Sequence, residues 1–340
     1  MFPSGNFDAQ TVERAINDIQ KAITSVPVDG LLLVREDLQA EMAIMAPTDT
    51  PLRNRFNRIQ GNGKAHAWYQ LTPTTSTETQ SVGHLFLGGT VPEKGFFEKG
   101  GLPQGTQPSY KFRSAPYTSL GDTVNVSFFE QMAGGTYTDI KKHQIKVKML
   151  NVALMEEWAI INGDSSVGTG LQFDGLNKLI TDNVTDNSGN PLTLSVITTT
   201  EQNIVADGGK PQALVMSYRD LQTFNEIVLG SFYRLFQAGA GTLADIPAGI
   251  SVTRWLSPFG QVDVIGTRYI VPVSNQDFIL VIDDKTVLED GNAIQMVDLM
   301  PLSAIDLALL QSAYRTLIAE FTVLQLTAEA FQGKIENVGV

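Results

Sequence analysis

The sequence predicts an α+β protein, and three observations carry that prediction. Two stretches repeat apolar residues at helical spacing, several shorter ones are rich in β-branched and aromatic residues, and one long Gly/Pro-rich segment follows neither rhythm. With 340 residues the chain has room for roughly two domains and for a core that needs no covalent staples. Cysteine is absent, which excludes disulfide scaffolds, thiolate-ligated metals, iron–sulfur clusters and a thiol nucleophile. A net charge of −12 speaks against a protein whose whole surface grips nucleic acid. No apolar run reaches the roughly 18 residues of a membrane-spanning helix. The start, MFPSGNFDAQ, lacks the basic and apolar regions of a secretory signal, so the chain is expected to begin soluble in the cytoplasm.

In chain order, Val12, Ile16, Ile19, Ile23 and Val26 fall on one helix face, with Asp8 as N-cap and Pro27 and Gly30 as stops. A shorter helical pattern, Val34, Leu38, Met42, Met45, ends at Pro47. Between Thr50 and His66 the charged residues are Arg53, Arg55, Arg58 and Lys64, with no carboxylate. From Leu71 to Gly121, 13 of 51 residues are Gly or Pro, about 25% against an average near 12%. That segment is too long for a surface loop, and its Phe86, Phe96, Phe97, Tyr110 and Phe112 are too aromatic for simple disorder. Strand-like pieces, Ala65 to Leu71 and Thr123 to Phe129, flank it and suggest a two-stranded excursion that leaves the body and returns. A long helix is predicted from about Asp139 to Ile161, apolar on two opposite faces and closed by Gly163 as a C′ glycine.

Downstream, the chain alternates. A short helix is predicted at Leu176 to Ile180, a turn at Asn187 to Pro191, and a Thr-rich strand at Leu192 to Thr199. The strand Ala213 to Met216 leads into Ser217 and Asp220, spaced like a capping box at the start of a helix. Ile250 to Leu256 and Val262 to Ile265 flank Ser257 to Gly260, a hairpin signal. Phe278 to Ile282 reads as a strand, Ser303 to Leu317 as ambiguous, and the tail as strands Glu320 to Leu326 and Lys334 to Val338 separated by a turn at Gly333.

Catalytic signatures are missing: there is no phosphate loop, no GxSxG elbow and no HExxH. His66, His84 and His143 read as ordinary surface or packing residues. Asp283, Asp284, Glu289 and Asp290 read as a solvated turn in preference to a cation site. Glu156 falls on an apolar face of the long helix and, if buried, needs a cation or hydrogen-bond donor; a structural ion pair outweighs a general acid/base role for it and Glu157. Lys141, Lys142, Lys146 and Lys148 crowd the start of that helix, where the macrodipole disfavours cations; this hints at an external acidic partner, with a solvated basic face as the equal alternative for any single lysine. No catalytic, metal or cofactor site is assigned.

The order of an N-terminal arm, a Gly/Pro-rich excursion, one long helix, an α/β part and returning strands resembles the major capsid proteins of tailed bacteriophages, with their Hong Kong 97-type fold. The residues that carry the resemblance are Glu156, Glu157, Trp158, Ala159, Ile160, Ile161, Asn162, Gly163 and Asp164, followed by Phe173, Asp174, Gly175 and Leu176. Further support comes from Ala213 to Ser217 leading into a helix, and from Gly249 to Val252 preceding Phe259-Gly260.

The resemblance implies an N-arm over 1–64 and an E-loop with its flanking strands over 65–137. It places the P-domain at 138–175 and 301–340, and the A-domain at 176–300. It also implies self-assembly through pentamers and hexamers into an icosahedral head around double-stranded DNA, with assembly in the host cytoplasm. A portal, a decoration protein and, because the arm is short, a separate scaffolding protein are implied partners; no membrane and no covalent Lys–Asn cross-link are expected. Expected inter-subunit contacts are Val12, Ile16, Ile19, Ile23, Arg53, Arg55, Arg58, Phe86, Phe96, Phe97, Tyr110, Phe112, Lys141 and Lys142. The arginines are expected on a neighbour's carboxylates in preference to DNA. The rival readings are an encapsulin-like nanocompartment, a two-domain α+β enzyme with a Gly-rich lid, and a phage tail or decoration protein.

Overall fold

The structure is a computed structural model that describes residues 48–72, 99–101, 109–134, 139–167, 170–238, 253–272, 276–288, 291–309 and 312–339, all within the unit Ile44–Val340. The helical patterns at Val12 to Val26 and Val34 to Met45, along with Phe86, Phe96, Phe97, His84, Glu289 and Asp290, lie outside these residues. The chain forms α1 (Pro51–Arg55), β1 (Asn57–Gln60), β2 (Ala65–Thr72), β3 (Ser109–Pro116), β4 (Thr118–Ser127), α2 (Phe128–Gly134) and α3 (Ile140–Asn162). There follow α4 (Leu176–Leu179), β5 (Asn183–Asp186), α5 (Leu194–Ala206), β6 (Ala213–Ser217), α6 (Tyr218–Ala238), β7 (Arg254–Ser257), β8 (Gly260–Thr267) and β9 (Asp277–Ile282). A small pair, β10 (Val287–Leu288) and β11 (Gly291–Asn292), precedes β12 (Ile294–Asp306), β13 (Ala313–Leu326) and β14 (Gly333–Val338).

Two sheets organise these elements. One has the order β1-β12-β13-β4, with β1 parallel to β12 and the other pairs antiparallel. The other has the order β5-β14-β9-β6-β8-β7. Its strand β6 is buried at every position because it is covered on both faces: Ala213 and Val215 point into one apolar cluster, Leu214 and Met216 into another. The first cluster joins the sheets through Leu52, Ile160, Ile161, Leu280 and Met296; the second lies under α5 and α6. The strands β2 and β3 pair antiparallel from Ala65↔Pro116 to Thr72↔Ser109, so the excursion between them begins and ends side by side.

The long helix forms where the sequence places it. The Asp139 side chain accepts from the Lys142 N–H at 3.2 Å, closing its N-terminus. Ile145, Met149 and Val152 pack on Val124, Val126 and Ile318 of the four-stranded sheet. Among the described residues, the opposite face is buried at Ile161 near its end, while Leu154 and Trp158 border an open groove of about 530 Å³, with Leu120, Leu171, Phe173 and Tyr269 as other walls.

Gly163 follows the helix, but not as a left-handed cap, since its φ and ψ are −55° and 138°. Its role is close approach: a Cβ there would stand 2.3 Å from the Phe173 carbonyl oxygen and 2.6 Å from that of Ala159. That proximity lets the Gly175 N–H donate to the Gly163 carbonyl at 2.8 Å and folds the loop back onto the helix end.

Other elements differ from the sequence reading. The expected strand Leu192 to Thr199 is the start of α5: Thr198, Thr199 and Thr200 bond back to the carbonyls of Leu194, Ser195 and Val196, and Ile197, Thr200, Glu201 and Ile204 form its buried face. The strand expected to reach Phe129 stops at Ser127, where Ser127 and Glu130 exchange hydrogen bonds and open α2. Gly333 begins β14, the turn being made by the short 3-10 helix Glu329–Phe331. The ambiguous stretch at Ser303 to Leu317 belongs to β12 and β13. A boundary at 300 falls inside β12, and β14 joins the sheet of β6 and β9, so 301–340 is shared between both sheets.

Candidate assembly surfaces and the ionic hub behind them

Of the basic stretch after Thr50, Arg53, Arg55 and Arg58 turn inward, while Lys64 is exposed. Arg53 and Arg58 both pair with Glu156; Arg58 also reaches Glu320 at 2.8 Å and Asp298 at 3.0 Å, and Arg53 lies 3.6 Å from Glu320. Glu157 accepts from the N–H groups of Leu52 and Arg53 at 2.9 and 2.7 Å, meeting the first-turn amides of α1 beside Pro51, which has no N–H to satisfy. Arg55 grips Asp284 at 2.7 Å and Asp263 at 2.8 Å. The structure therefore gives these arginines partners in their own chain, where the sequence reading looked to a neighbour's acids. The reason is that Glu156, Glu157 and Glu320 are fully buried, and a buried carboxylate without a partner is costly. Asp283 and Asp284 are likewise buried, not a solvated turn: Asp283 accepts from the N–H groups of Lys210 and Thr286, and Asp284 holds Arg55.

The hub holds one more acid than base: Glu156, Glu320 and Asp298 face two guanidiniums. Burial pushes Glu320 up to about 7, reinforced by Glu156 and opposed by Arg58 and Arg53. Among the described residues its second oxygen has no hydrogen-bond partner. Glu157 is also raised by burial, against the pull of the two backbone N–H groups. For Arg58, burial works against the charge, but Glu156, Asp298 and Glu320 outweigh it and raise the guanidinium above its ordinary value. The hub fastens α1 and β1 to α3, β12 and β13; it is a structural ion-pair cluster.

Three of the four lysines of α3 also find internal partners. Lys141 pairs with Asp306 at 2.9 Å and sits over the Tyr314 ring, and Lys148 pairs with Asp122 at 2.8 Å. Lys142 is exposed beside Asp139, 3.3 Å away. His66 is an ordinary packing residue, stacked on Trp68 and hydrogen-bonded to Gln325 at 2.9 Å. Among the described residues, no group of three or more metal-ligating side chains converges.

The outward face of the β2–β3 stem is aromatic. Alternation sends His66, Trp68 and Gln70 inward, with Gln70 donating to the Thr327 carbonyl at 2.7 Å, and leaves Tyr69, Tyr110 and Phe112 outside at 65%, 66% and 57% exposure. Tyr69 and Phe112 lie opposite each other in the ladder, their rings 5.3 Å apart. Tyr69 was missed in the sequence, although its alternation with Trp68 marks a two-sided strand. A second apolar area, also missed, lies where α2 meets the β12–β13 turn: Phe129 and Met132 are more than four-fifths exposed, and Leu307 and Leu309 are exposed as well. The Phe128 N–H donates to the Ser312 carbonyl at 3.0 Å and ties the two parts together. A lone monomer rarely leaves this much large apolar surface in water.

A family model for the SU10 major capsid protein matches residues 11–338. The chain belongs to the SU10 major capsid protein family. It is thus a major capsid protein, a subunit of a multimeric phage head shell with its place in the virion. Solved structures agree on the fold. The capsid of cyanophage A-1(L) aligns over 91% of this chain and 98% of its own with a TM-score of 0.61 at 10% identity. The capsid of Myoviridae phage XM1 aligns over 92% and 100% with a TM-score of 0.58 at 13% identity. The SrpI encapsulin of Synechococcus elongatus PCC 7942 reaches 0.61 over 90% and 93% at 9% identity. No curated protein matches by sequence. The Hong Kong 97-like α+β fold is the one the sequence resemblance implied.

Proposed function

We propose that the subunit assembles through pentamers and hexamers into an icosahedral head that encloses double-stranded DNA. The family match over 11–338 carries this reading, and the exposed stem aromatics Tyr69, Tyr110 and Phe112 supply surface that a neighbouring copy would cover. On this reading, 1–64 is the N-arm and 65–137 the E-loop with its strands. The P-domain is 138–175 and 301–340 and the A-domain 176–300, except that β14 pairs within the six-stranded sheet of the A-domain. Val12, Ile16, Ile19, Ile23, Phe86, Phe96, Phe97, Tyr110, Phe112 and Lys142 are proposed inter-subunit contacts. Arg53, Arg55, Arg58 and Lys141 act one layer behind, by holding their own chain's acids. A separate scaffolding protein, a portal and a decoration protein are the proposed partners, with assembly in the host cytoplasm; we assign no catalytic role.

The test is electron microscopy of the protein expressed alone and with its scaffold, together with the ratio of absorbance at 260 and 280 nm. Closed shells or capsomer rings, with DNA in native particles, are the expected result. Shells that hold protein and no nucleic acid would point to a nanocompartment, and a permanent monomer would overturn the shell assignment.

A further inference from the structure

Against the six-stranded sheet lies an acid that pairs with no cation among the described residues. Glu201 of α5 is fully buried beside Ile197, Thr200 and Ile204. One of its oxygens accepts from the Ser257 hydroxyl of β7, and the other has no partner among the described residues. The charged groups on the elements around α5 are engaged elsewhere. Asp186 of β5 holds Asn337 and the Ser188 N–H, and Asp207 after α5 holds Asn183. Lys334 of β14 holds Asn177 and Glu336, and Glu329 of the 3-10 helix holds Thr181. In the β7–β8 hairpin, Arg254 pairs with Asp263. Among the described residues, no charged side chain pairs with Glu201.

We propose that Glu201 and Ser257 form a proton-dependent latch that holds the β7–β8 hairpin against α5. An ionised carboxylate sealed among apolar groups without a cation is strongly disfavoured, so the closed latch carries a proton. Burial pushes the Glu201 carboxyl up to about 7, against the Ser257 hydrogen bond. Once the hairpin lifts and water enters, the group returns to its ordinary value near 4.5. Opening therefore releases a proton between those two values: the latch is firm below the lower one, weakens as pH rises through the window, and changes no further above the upper one. The same Ser257 hydroxyl accepts from the Phe259 N–H at 3.3 Å, so the latch also fixes the turn that carries the exposed Leu256 and Phe259. Proton uptake thus sets how firmly the subunit presents an apolar hairpin tip.

Hydrogen exchange read by mass spectrometry on the full chain tests this, following peptides that cover β7 and β8 against peptides of β9 as the internal reference. After correction for intrinsic exchange, the opening constant of the hairpin is expected to rise about tenfold per pH unit until about pH 7 and then level off. Glu201→Gln, which keeps an acceptor for Ser257 but binds no proton, is expected to show no such rise. Ser257→Ala keeps the buried acid, so its slope persists while its opening constant exceeds that of the wild type. A wild-type hairpin whose opening is independent of pH, a Glu201→Gln variant with the wild-type slope, or a Ser257→Ala variant with the wild-type opening constant would each overturn the latch.

Discussion

Arg58→Met removes the cation on which the hub converges. Arg58 touches Glu156, Glu320 and Asp298 at once, and methionine keeps much of its stem while taking away the charge. Arg53 is then left against three carboxylates, two of them fully buried. Removing one partner of a buried ion pair costs about 3–5 kcal/mol. Arg58 is 25% exposed and Arg53 can take part of the load from 3.6 Å, so we expect the lower end, about 3 kcal/mol at neutral pH. The cost depends on pH with a definite sign. Without Arg58, the Glu320 carboxyl rises further above its already raised value near 7, so the folded variant holds its proton over a wider range. Wild type and variant lose the Glu320 contribution in parallel up to about pH 7, where the wild-type carboxyl ionises; above that only the variant goes on losing stability, so the deficit is smallest in mild acid and grows as pH climbs past about 7. Urea unfolding of unassembled subunits, followed through the three tryptophans, measures it, with the exposed Arg254→Met as control. A loss no larger than the control's at every pH would refute the hub as a stabilising clamp.

For the wild type, Glu320 and Glu201 are pushed to about 7 and Asp220 to about 6, chiefly by burial, so we expect a melting temperature that falls as pH rises from about 5 to about 7. A flat profile over that range would contradict it. Gly163→Ala forces a methyl against two backbone carbonyls, and we expect a loss of about 1–3 kcal/mol in denaturant titration; an unchanged midpoint would mean that the loop after α3 yields freely. Tyr69→Ser with Phe112→Ser touches only exposed rings, so the unassembled subunit should keep its unfolding free energy to within about 0.5 kcal/mol in urea titration while the yield of closed shells by electron microscopy falls. Normal shell yield would remove the stem from the list of contacts.

How far the sequence could be read depended on how far apart the partners lie. The long helix was legible because Asp139, the two apolar faces and the stop near Gly163 are local signals, and the β7–β8 hairpin because its turn residues are adjacent. The need of Glu156 for a cation was legible too, but Arg53 and Arg58 lie about a hundred residues away, and nothing local names them. Asp284 shows the same limit: its partner Arg55 is 229 residues distant, so an acidic turn looked solvated. At α5 the fault was one of weighting. Consecutive threonines favour strands, whereas the spacing of Ile197, Thr200, Glu201 and Ile204 was helical, and burial of that face decided the outcome. The stem aromatics Tyr110 and Phe112 were found by composition, while Phe129, Met132 and Leu309 were not, because their exposure arises where α2 meets a turn nearly two hundred residues later.

The four-stranded sheet draws its strands from 57–60, 118–127, 294–306 and 313–326, and its parallel pair joins Asn57 to Gln295. A ribosome making this chain must pass β12 and β13 before β1 has strands to join, and before Asp298 and Glu320 can complete the cluster around Arg58. Until that moment the early segments wait without their partners, and the slow closure of so distant a pairing sets the pace. The subunit's rigidity therefore waits on β13, more than 250 residues after β1.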